Sequence, residues 1–304
     1  MSKRGRSPGL DGILLIDKAA GWTSHDVVAK CRNITGQRRT GHTGTLDPAA
    51  TGLLVLCLGK ATRLVEYMSG QDKEYEGEIA LGATTDTDDA EGTILTEAPV
   101  PDIDDARLRE LERQFTGAID QVPPAYSAVK VDGTRAYAVA RKGGELELAP
   151  RPVVVHSLEL ELRREGRMGI RIVCGSGTYV RSLARDIGAA LGCGAHLAHL
   201  RRTRNGPFHI DEALTVEDLQ RAVDAEQLED VLRASDEGVM NMDAAIVANE
   251  RGRFLANGQA IQVRTEPWRP SEQARIYRID GRFVGVGLVD NDGALRPVKV
   301  LDQG

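Results

Sequence analysis

Short strands alternate with helices along most of this chain of 304 residues, and this alternation limits the folds open to it. An apolar run at 13–17 predicts a buried strand, and Thr23 and Ser24 can cap a helix from about 25 to 33. Further strands are predicted near 53–58, 75–81, 152–162, 169–175 and 196–202, and further helices near 61–68, 105–115 and 179–191. Many of the connections between strands cannot be parallel crossovers, so we expect a mixed α/β (α+β) fold.

The pattern changes after about residue 243. A short helix is predicted at 250–256, and short strands separated by glycine turns follow it. Asp280-Gly281 lies between two runs of alternating apolar residues, which is a strong hairpin signal. We therefore expect two domains: residues 1–243, ending in an acidic helical linker, and a small β-rich domain at 244–304.

Charge and hydropathy exclude several classes of protein. No apolar run approaches the roughly 18 residues of a membrane span, and the N-terminus lacks the apolar stretch of a signal peptide, so we expect a cytoplasmic protein. The four cysteines have neither a CxxC pair nor zinc spacing and are interpreted as reduced core residues.

The net charge is −6, but acids concentrate in 71–120 and 215–243 whereas 21–64 and 201–204 are basic. A basic face for nucleic acid therefore remains possible.

The stretch GHTGTLDPAATGLL at 41–54 places one carboxylate, Asp47, among glycines and threonines. An Asp-Pro pair can simply form a turn, but the small residues around it also let a ligand approach closely, which favours a functional role. The nearest P-loop candidate, ending at Lys60, lacks both the first glycine and the hydroxyl after lysine. The acidic run at 85–92 has its glycine one position too late for a calcium loop, and we interpret it as a solvated loop.

These residues resemble the signature of the TruB family of tRNA pseudouridine synthases. Similar segments follow in the family's order: DKAAGWTS (17–24), LGKAT (58–62), KEY (73–75), QVPPAYSAVK (121–130), GTYVR (177–181) and GCGAHLAHLRR (192–202). The chain has Ala19 where the family usually has proline. The resemblance covers roughly residues 10–210, and residues 244–304 resemble a PUA-type RNA-binding module.

The resemblance implies the pseudouridine-synthase fold, a large, mainly antiparallel mixed sheet flanked by helices. It implies an isomerase that detaches uracil from its ribose at N1 and rejoins it through C5 without a metal or cofactor. Asp47 corresponds to the family's essential nucleophile, through either a sugar adduct or a glycal route. Tyr75 corresponds to the tyrosine that packs on the base and helps take the C5 proton, and Arg181 to the arginine paired with the nucleophile.

The resemblance also implies residues around the base and along the RNA. His42 corresponds to the histidine that fills the space of the flipped base, and Tyr179 and Leu200 to pocket residues around the uracil. The implied substrate is the uridine at position 55 in the T loop of tRNA, covered by an insert at about 124–152. The basic residues expected to contact RNA are Lys18, Arg38, Arg39, Lys130, Arg201 and Arg202.

Two other classes of protein are considered. A non-catalytic RNA-binding protein would keep the basic residues but would not need Asp47, Tyr75 and Arg181 together. A nucleotide-using enzyme, such as an RNA ligase or kinase, would need a phosphate-binding loop, and none was found in the sequence. We expect a monomer whose partner is the T arm of tRNA, with no metal, no cofactor and no membrane association.

Overall fold

The computed structural model describes residues 10–127, 130–131, 134–135, 148–164, 166–263 and 271–302. Within these ranges the α-helices are α1 (Ser24–Thr35), α2 (Val65–Ser69), α3 (Asp105–Gln114), α4 (Val180–Leu191), α5 (Val216–Asp224) and α6 (Asn249–Ala256). Short 3₁₀ helices lie at Gly59–Leu64, Ile210–Glu212, Glu229–Val231 and Ser235–Val239. The predicted helix at 61–68 is therefore a 3₁₀ turn followed by the single short helix α2.

The strands of the first part of the chain are β1 (Gly12–Lys18), β2 (Thr40–His42), β3 (Thr51–Leu58), β4 (Lys73–Leu81), β5 (Ala83–Thr85), β6 (Ile94–Glu97), β7 (Gly117–Gln121), β8 (Lys130–Val131), β9 (Thr134–Arg135), β10 (Arg151–Leu162), β11 (Arg167–Cys174), β12 (Ala195–Asn205) and β13 (Phe208–His209). Those of the last part are β14 (Asp243–Val247), β15 (Ile261–Gln262), β16 (Gln273–Arg278), β17 (Phe283–Val289) and β18 (Ala294–Val300). Of the predicted insert at 124–152, residues 128–129, 132–133 and 136–147 lie outside the described residues.

In the described part of the chain, nine strands form one sheet in the order β1-β3-β12-β4-β11-β10-β7, with β2 beside β3 and β13 beside β12. Neighbouring strands are antiparallel except β12 and β3, which run parallel where Arg201 lies opposite Thr51. The expected mixed fold with a large, mainly antiparallel sheet is confirmed.

Strands β1 and β3 are buried on both faces because apolar residues occupy consecutive positions. Successive side chains of a strand point to opposite faces, so Leu15 joins the core on one face while Leu14 and Ile16 join the core on the other. Helix α1 covers the second face, and it begins at a capping box formed by Thr23 and Asp26. This packing fixes β3, which follows the Asp47 loop, and β1 beside it.

Helices α3 and α4 pack on the other half of the sheet. Leu183 and Ile187 of α4 are fully buried in a core shared with Ile79 and Ile172 of the central strands. Because α4 buries one face along its length, Arg181 in its first turn is held against the sheet.

The C-terminal strands form a five-stranded sheet in the order β14-β16-β17-β18-β15, which has its own apolar core. It also contacts the first part of the chain: Val286 and Leu301 lie in a core cluster with Ile13, Leu64 and Met68. In the part of the chain that the structure describes, no helix has the length and apolar character needed to cross a bilayer.

Candidate active site

Asp47 lies in the loop between β2 and β3, and buried hydrogen bonds hold this loop in place. The Ser24 hydroxyl accepts a hydrogen bond from the Leu46 amide at 2.9 Å and donates one to the Leu46 carbonyl at 3.1 Å. The Ala50 amide donates to the Asp47 carbonyl at 3.1 Å, which closes a turn directly after the carboxylate. The Asp47 side chain is therefore on a fixed backbone.

Lys18 is buried beside this turn, with 1% of its surface exposed. Its Nζ donates to the carbonyl oxygens of Ala19, Trp22 and Pro48 at 3.0, 2.8 and 3.0 Å. An ammonium group has three N–H donors, and all three are used by backbone acceptors. The predicted RNA contact of Lys18 does not fit this burial, and we interpret Lys18 as a residue that positions the Asp47 loop.

Arg202 is equally buried, with 1% exposed, on the other side of the loop. Its Nε donates to the Leu53 carbonyl at 2.7 Å and its Nη2 to the Gly44 carbonyl at 3.1 Å. Gly52 has a φ of +99°, and a Cβ there would lie 2.3 Å from the Arg202 carbonyl oxygen, so this motif position requires glycine. Its guanidinium is bound within the protein, so we interpret Arg202 as a support of the Asp47 loop; because it also lines the cleft, its predicted contact with RNA stays a prediction.

Arg181 contacts Asp47 from the N-terminal turn of α4. Its Nε lies 3.0 Å from Asp47 Oδ2, and its side chain is 7% exposed while that of Asp47 is 44% exposed. The remaining nitrogens donate to the carbonyls of Thr87 at 2.9 Å and Tyr126 at 3.0 Å, and Nη1 also lies 3.4 Å from Asp89 Oδ2. The guanidinium is thus fixed on three sides and orients a carboxylate that is accessible from the cleft.

The acidic run at 85–92 is not a solvated loop at its centre, as the sequence suggested. The side chains of Asp88 and Asp89 are each 13% exposed, because they face α4. Arg185 Nη1 contacts Asp88 Oδ2 at 2.9 Å, one helical turn after Arg181. Burial raises the pKa of Asp88, and the charges of Arg185 and Arg181 oppose that shift.

Tyr75 is buried on β4, opposite Arg202 of β12. Burial raises the pKa of its phenol, with Arg202 acting against the shift and Asp47 adding to it, so the hydroxyl is protonated at neutral pH. Two residues earlier on the strand, the buried Lys73 donates to two backbone carbonyls at 3.0 and 2.5 Å. Burial and the charge of Arg202 lower the pKa of Lys73 to about 8.

Tyr179 is the N-cap residue of α4, and a buried glutamine fixes its backbone. The Tyr179 amide donates to Gln121 Oε1 at 2.8 Å, and Gln121 Nε2 donates to the Tyr179 carbonyl at 3.1 Å. This paired contact replaces a side-chain cap, since Tyr179 supplies none. Gln121 therefore sets the start of the helix that carries Arg181.

His42 ends β2, and its ring packs edge-on against His25 with 5.7 Å between the ring centres. Burial lowers the pKa of His42, and the neighbouring His25 and Arg202 lower it further, so the imidazole is neutral at neutral pH. Leu200 is partly buried on β12 and packs against the core that contains Tyr75.

A cleft of about 570 Å³ lies between the Asp47 loop and the start of α4. All six residues predicted for catalysis and substrate binding line it, which are His42, Asp47, Tyr75, Tyr179, Arg181 and Leu200. Of the residues predicted only for RNA contact, Arg38 and Arg39 are exposed outside the cleft, and Arg201 pairs with Asp17 at 3.0 and 2.7 Å. Lys130 belongs to β8, and its side chain lies outside what the structure describes.

The profile of the TruB family pseudouridylate synthase N-terminal domain matches residues 32–180. Profiles of the tRNA pseudouridylate synthase B C-terminal domain and of the pseudouridine synthase II TruB C-terminal region match residues 181–246 and 245–301. A tRNA pseudouridine synthase B of Xanthomonas campestris pv. campestris is 44% identical over 299 residues, covering 96% of this chain and 94% of its own. One of Thermobifida fusca is 44% identical over 304 residues, covering 96% and 98%. The chain belongs to the TruB family.

Solved structures share the TruB-family architecture described above. A Cbf5-Nop10-Gar1 complex contains a chain that aligns with a TM-score of 0.75 at 25% identity, over 96% of this chain and 85% of that chain. An H/ACA RNP bound to a substrate RNA containing 2′-deoxyuridine gives a TM-score of 0.74 at 23% identity, over 96% and 86%. Pseudouridine synthases are isomerases, so the chain is placed in an enzyme family with this fold.

Sequence reasoning missed several residues that shape this TruB-family site. Asp89 lies in an acidic run, and nothing in the local sequence distinguishes it from its neighbours. Its ion pair with Arg181 joins residues that are far apart in the sequence. Gln121 and Ser127 lie in the segment QVPPAYSAVK, whose resemblance to the family does not by itself indicate the role of each residue. Lys73 lies two residues before Tyr75 and therefore on the same face of a strand, which was a usable signal.

Proposed function

We propose that this chain is a tRNA pseudouridine synthase that isomerises the uridine at position 55 in the T loop of tRNA to pseudouridine. The observation that carries this proposal is the pairing of Asp47 with Arg181 at 3.0 Å in an accessible cleft that Tyr75 also lines. The Xanthomonas campestris and Thermobifida fusca relatives, which are named tRNA pseudouridine synthase B, support the choice of tRNA as the substrate.

In the proposed reaction the bond between C1′ and N1 of the uridine breaks, the uracil turns, and C5 bonds to C1′. Asp47 acts either as a nucleophile that adds to C1′ and leaves again when C5 bonds there, or, in a glycal route, as the base that takes a sugar proton and later returns it. Arg181 directs the carboxylate towards the sugar, since a charge-assisted hydrogen bond fixes the carboxylate geometry. C5 loses its proton and N1, freed from C1′, gains one, so the atoms balance and the net reaction is an isomerisation.

Tyr75 acts in this scheme as a neutral phenol, because burial raises its pKa. Its ring provides the packing surface for the flipped base, and its hydroxyl passes on the C5 proton. Arg202 lies on β12 opposite Tyr75 of β4, and its side chain donates to the Gly44 carbonyl at the start of the Asp47 loop. It thereby fixes the position of this loop relative to Tyr75. The geometry around the base therefore depends on a buried arginine that binds the backbone of the Asp47 loop and of β3.

The RNA is held by contacts outside the cleft. Extruding a base costs a few kcal/mol, which contacts to the rest of the RNA must offset. We assign phosphate contacts to Arg38, Arg39 and Arg201, which lie outside the cleft. Residues 1–243 form the catalytic domain, its insert at 124–152 contacts RNA, and residues 244–304 form a PUA-like RNA-binding domain. The protein acts as a monomer in the cytoplasm.

The proposal is tested with a T-arm hairpin transcript that carries uridine tritiated at C5. The wild-type protein should release tritium from the hairpin without any nucleotide triphosphate. Asp47→Asn should bind the hairpin but release none, because an amide has a similar shape without nucleophilicity. RNA binding without tritium release by the wild type would instead indicate a non-catalytic RNA-binding protein.

A further inference from the structure

The Ser127 hydroxyl is a buried polar group that the proposed chemistry does not use. The residue is 5% exposed, and its Oγ makes no hydrogen bond to any residue that the structure describes. A hydroxyl without a partner away from water costs about 1–3 kcal/mol, and such groups are few in folded proteins. In a binding cleft, the missing partner is expected to come from the ligand.

Ser127 lines the same cleft as Asp47. The residue before it is held by the guanidinium that orients Asp47, because Arg181 Nη2 donates to the Tyr126 carbonyl at 3.0 Å while Nε contacts the carboxylate at 3.0 Å. One arginine thus fixes both the nucleophile and the backbone next to Ser127. The orphaned hydroxyl has a set place relative to the reacting carboxylate.

Two other hydroxyls of the cleft are bonded within the protein. The Ser69 hydroxyl donates to the Val65 carbonyl at 2.7 Å, and the Thr178 hydroxyl donates to the Gly175 carbonyl at 3.0 Å. Both are therefore committed to local structure, whereas the Ser127 hydroxyl has no partner among the described residues. This difference within one cleft separates Ser127 from an ordinary lining serine.

We propose that Ser127 is a substrate-binding residue whose hydroxyl hydrogen-bonds the flipped uridine. This inference rests on the function proposed above and deepens it. A serine hydroxyl both donates and accepts, so it matches a polar group of the pyrimidine edge or the ribose 2′-hydroxyl. A site that hydrogen-bonds a substrate group discriminates against a partner that cannot make the bond.

Ser127→Ala removes the hydroxyl without leaving another buried group unpaired, so the folded protein should be as stable as the wild type or more so. On the T-arm hairpin, kcat/KM should fall about 5- to 100-fold, which corresponds to one unpaired buried polar group. Ser127→Thr keeps the hydroxyl and should restore most of the loss. Thr203→Val is the matched control, because the Thr203 hydroxyl also lacks a partner in the described part of the chain but does not line the cleft.

A second RNA identifies the group that Ser127 binds. This RNA carries 2′-deoxyuridine at the target position and so lacks the 2′-hydroxyl. If Ser127 binds the 2′-hydroxyl, Ser127→Ala should not lower the affinity for this RNA any further. If Ser127 binds the base, Ser127→Ala should lower the affinity for both RNAs equally. Either result supports the proposal. A wild-type protein that forms pseudouridine, with Ser127→Ala equal to it on both RNAs, would overturn the inference alone. A wild type without activity would overturn the proposed function and this inference with it.

Discussion

Replacing Arg181 with lysine keeps a positive charge beside Asp47 and removes the planar guanidinium. Arg181 makes four contacts through three nitrogens, to Asp47, Asp89, Thr87 and Tyr126. A lysine ends in a single nitrogen, and it cannot donate in the fixed fork that these acceptors require. We expect the contact between Nε and Asp47 to be lost first, because lysine has no nitrogen at the position of Nε.

The size of the effect follows from that contact. A hydrogen bond to a charged group contributes about 1.5–3 kcal/mol, and about 1.36 kcal/mol corresponds to a tenfold change in rate. If Arg181 serves mainly to direct the carboxylate, Arg181→Lys should lower the single-turnover rate by about 10- to 150-fold. RNA affinity should change little, since the guanidinium is buried and bound within the protein.

Single-turnover tritium release at saturating hairpin measures the rate, and filter binding measures the affinity. Arg185→Lys is the matched control: Arg185 lies one turn later on α4 and pairs with Asp88 and Asp186, not with Asp47. It loses similar acidic contacts, so its rate reports damage to α4 alone. A rate for Arg181→Lys close to that of Arg185→Lys would show that the charge near Asp47 suffices and that its direction does not matter.

Two further predictions concern the support of the site. The pKa of Lys73 is lowered from 10.5 to about 8 in the folded protein. Between these two pH values the unfolded chain holds a proton that the folded chain has released. The free energy of unfolding therefore rises with pH in this range. From pH 7.5 to 10 the wild type should gain about 2 kcal/mol in unfolding free energy relative to Lys73→Met, and a constant difference in denaturant titrations would contradict the burial. Gly52→Ala should lower the melting temperature much more than Gly36→Ala, because both glycines have positive φ but only Gly52 would place a Cβ 2.3 Å from a backbone oxygen.

Local patterns were sufficient to predict most elements of the fold. The consecutive apolar positions of β1 and β3 and the Thr23 cap of α1 are properties of short segments, and the structure contains each of them. The predicted helix at 61–68 is α-helical only from Val65 onward, because its first part belongs to a 3₁₀ helix that begins at Gly59, where φ is +59°. Periodicity alone does not distinguish the two over a single short segment.

The roles of charged residues were harder to predict because they depend on distant partners. Lys18 and Arg202 were assigned to RNA as basic residues, but each binds backbone carbonyls of the Asp47 loop. Arg202 and Gly44 are far apart in the sequence. The parallel pairing of β12 with β3 brings them into contact. Asp89 meets Arg181 through a similar long-range contact.

Four cations of the site are almost fully buried, which are Lys18, Lys73, Arg181 and Arg202. We therefore expect them to act locally on the loop and on Asp47, and we expect exposed groups such as Arg38 and Arg39 to attract the RNA from solution. Replacing both exposed arginines with alanine should weaken hairpin binding and reduce the slope of log affinity against log salt by about 0.7–0.9 for each lost phosphate contact. The single-turnover rate at saturating RNA should not change. Arg113→Ala, exposed in the acidic segment, should leave the slope intact, and an equal loss in that variant would show that net charge, not a defined basic face, attracts the RNA.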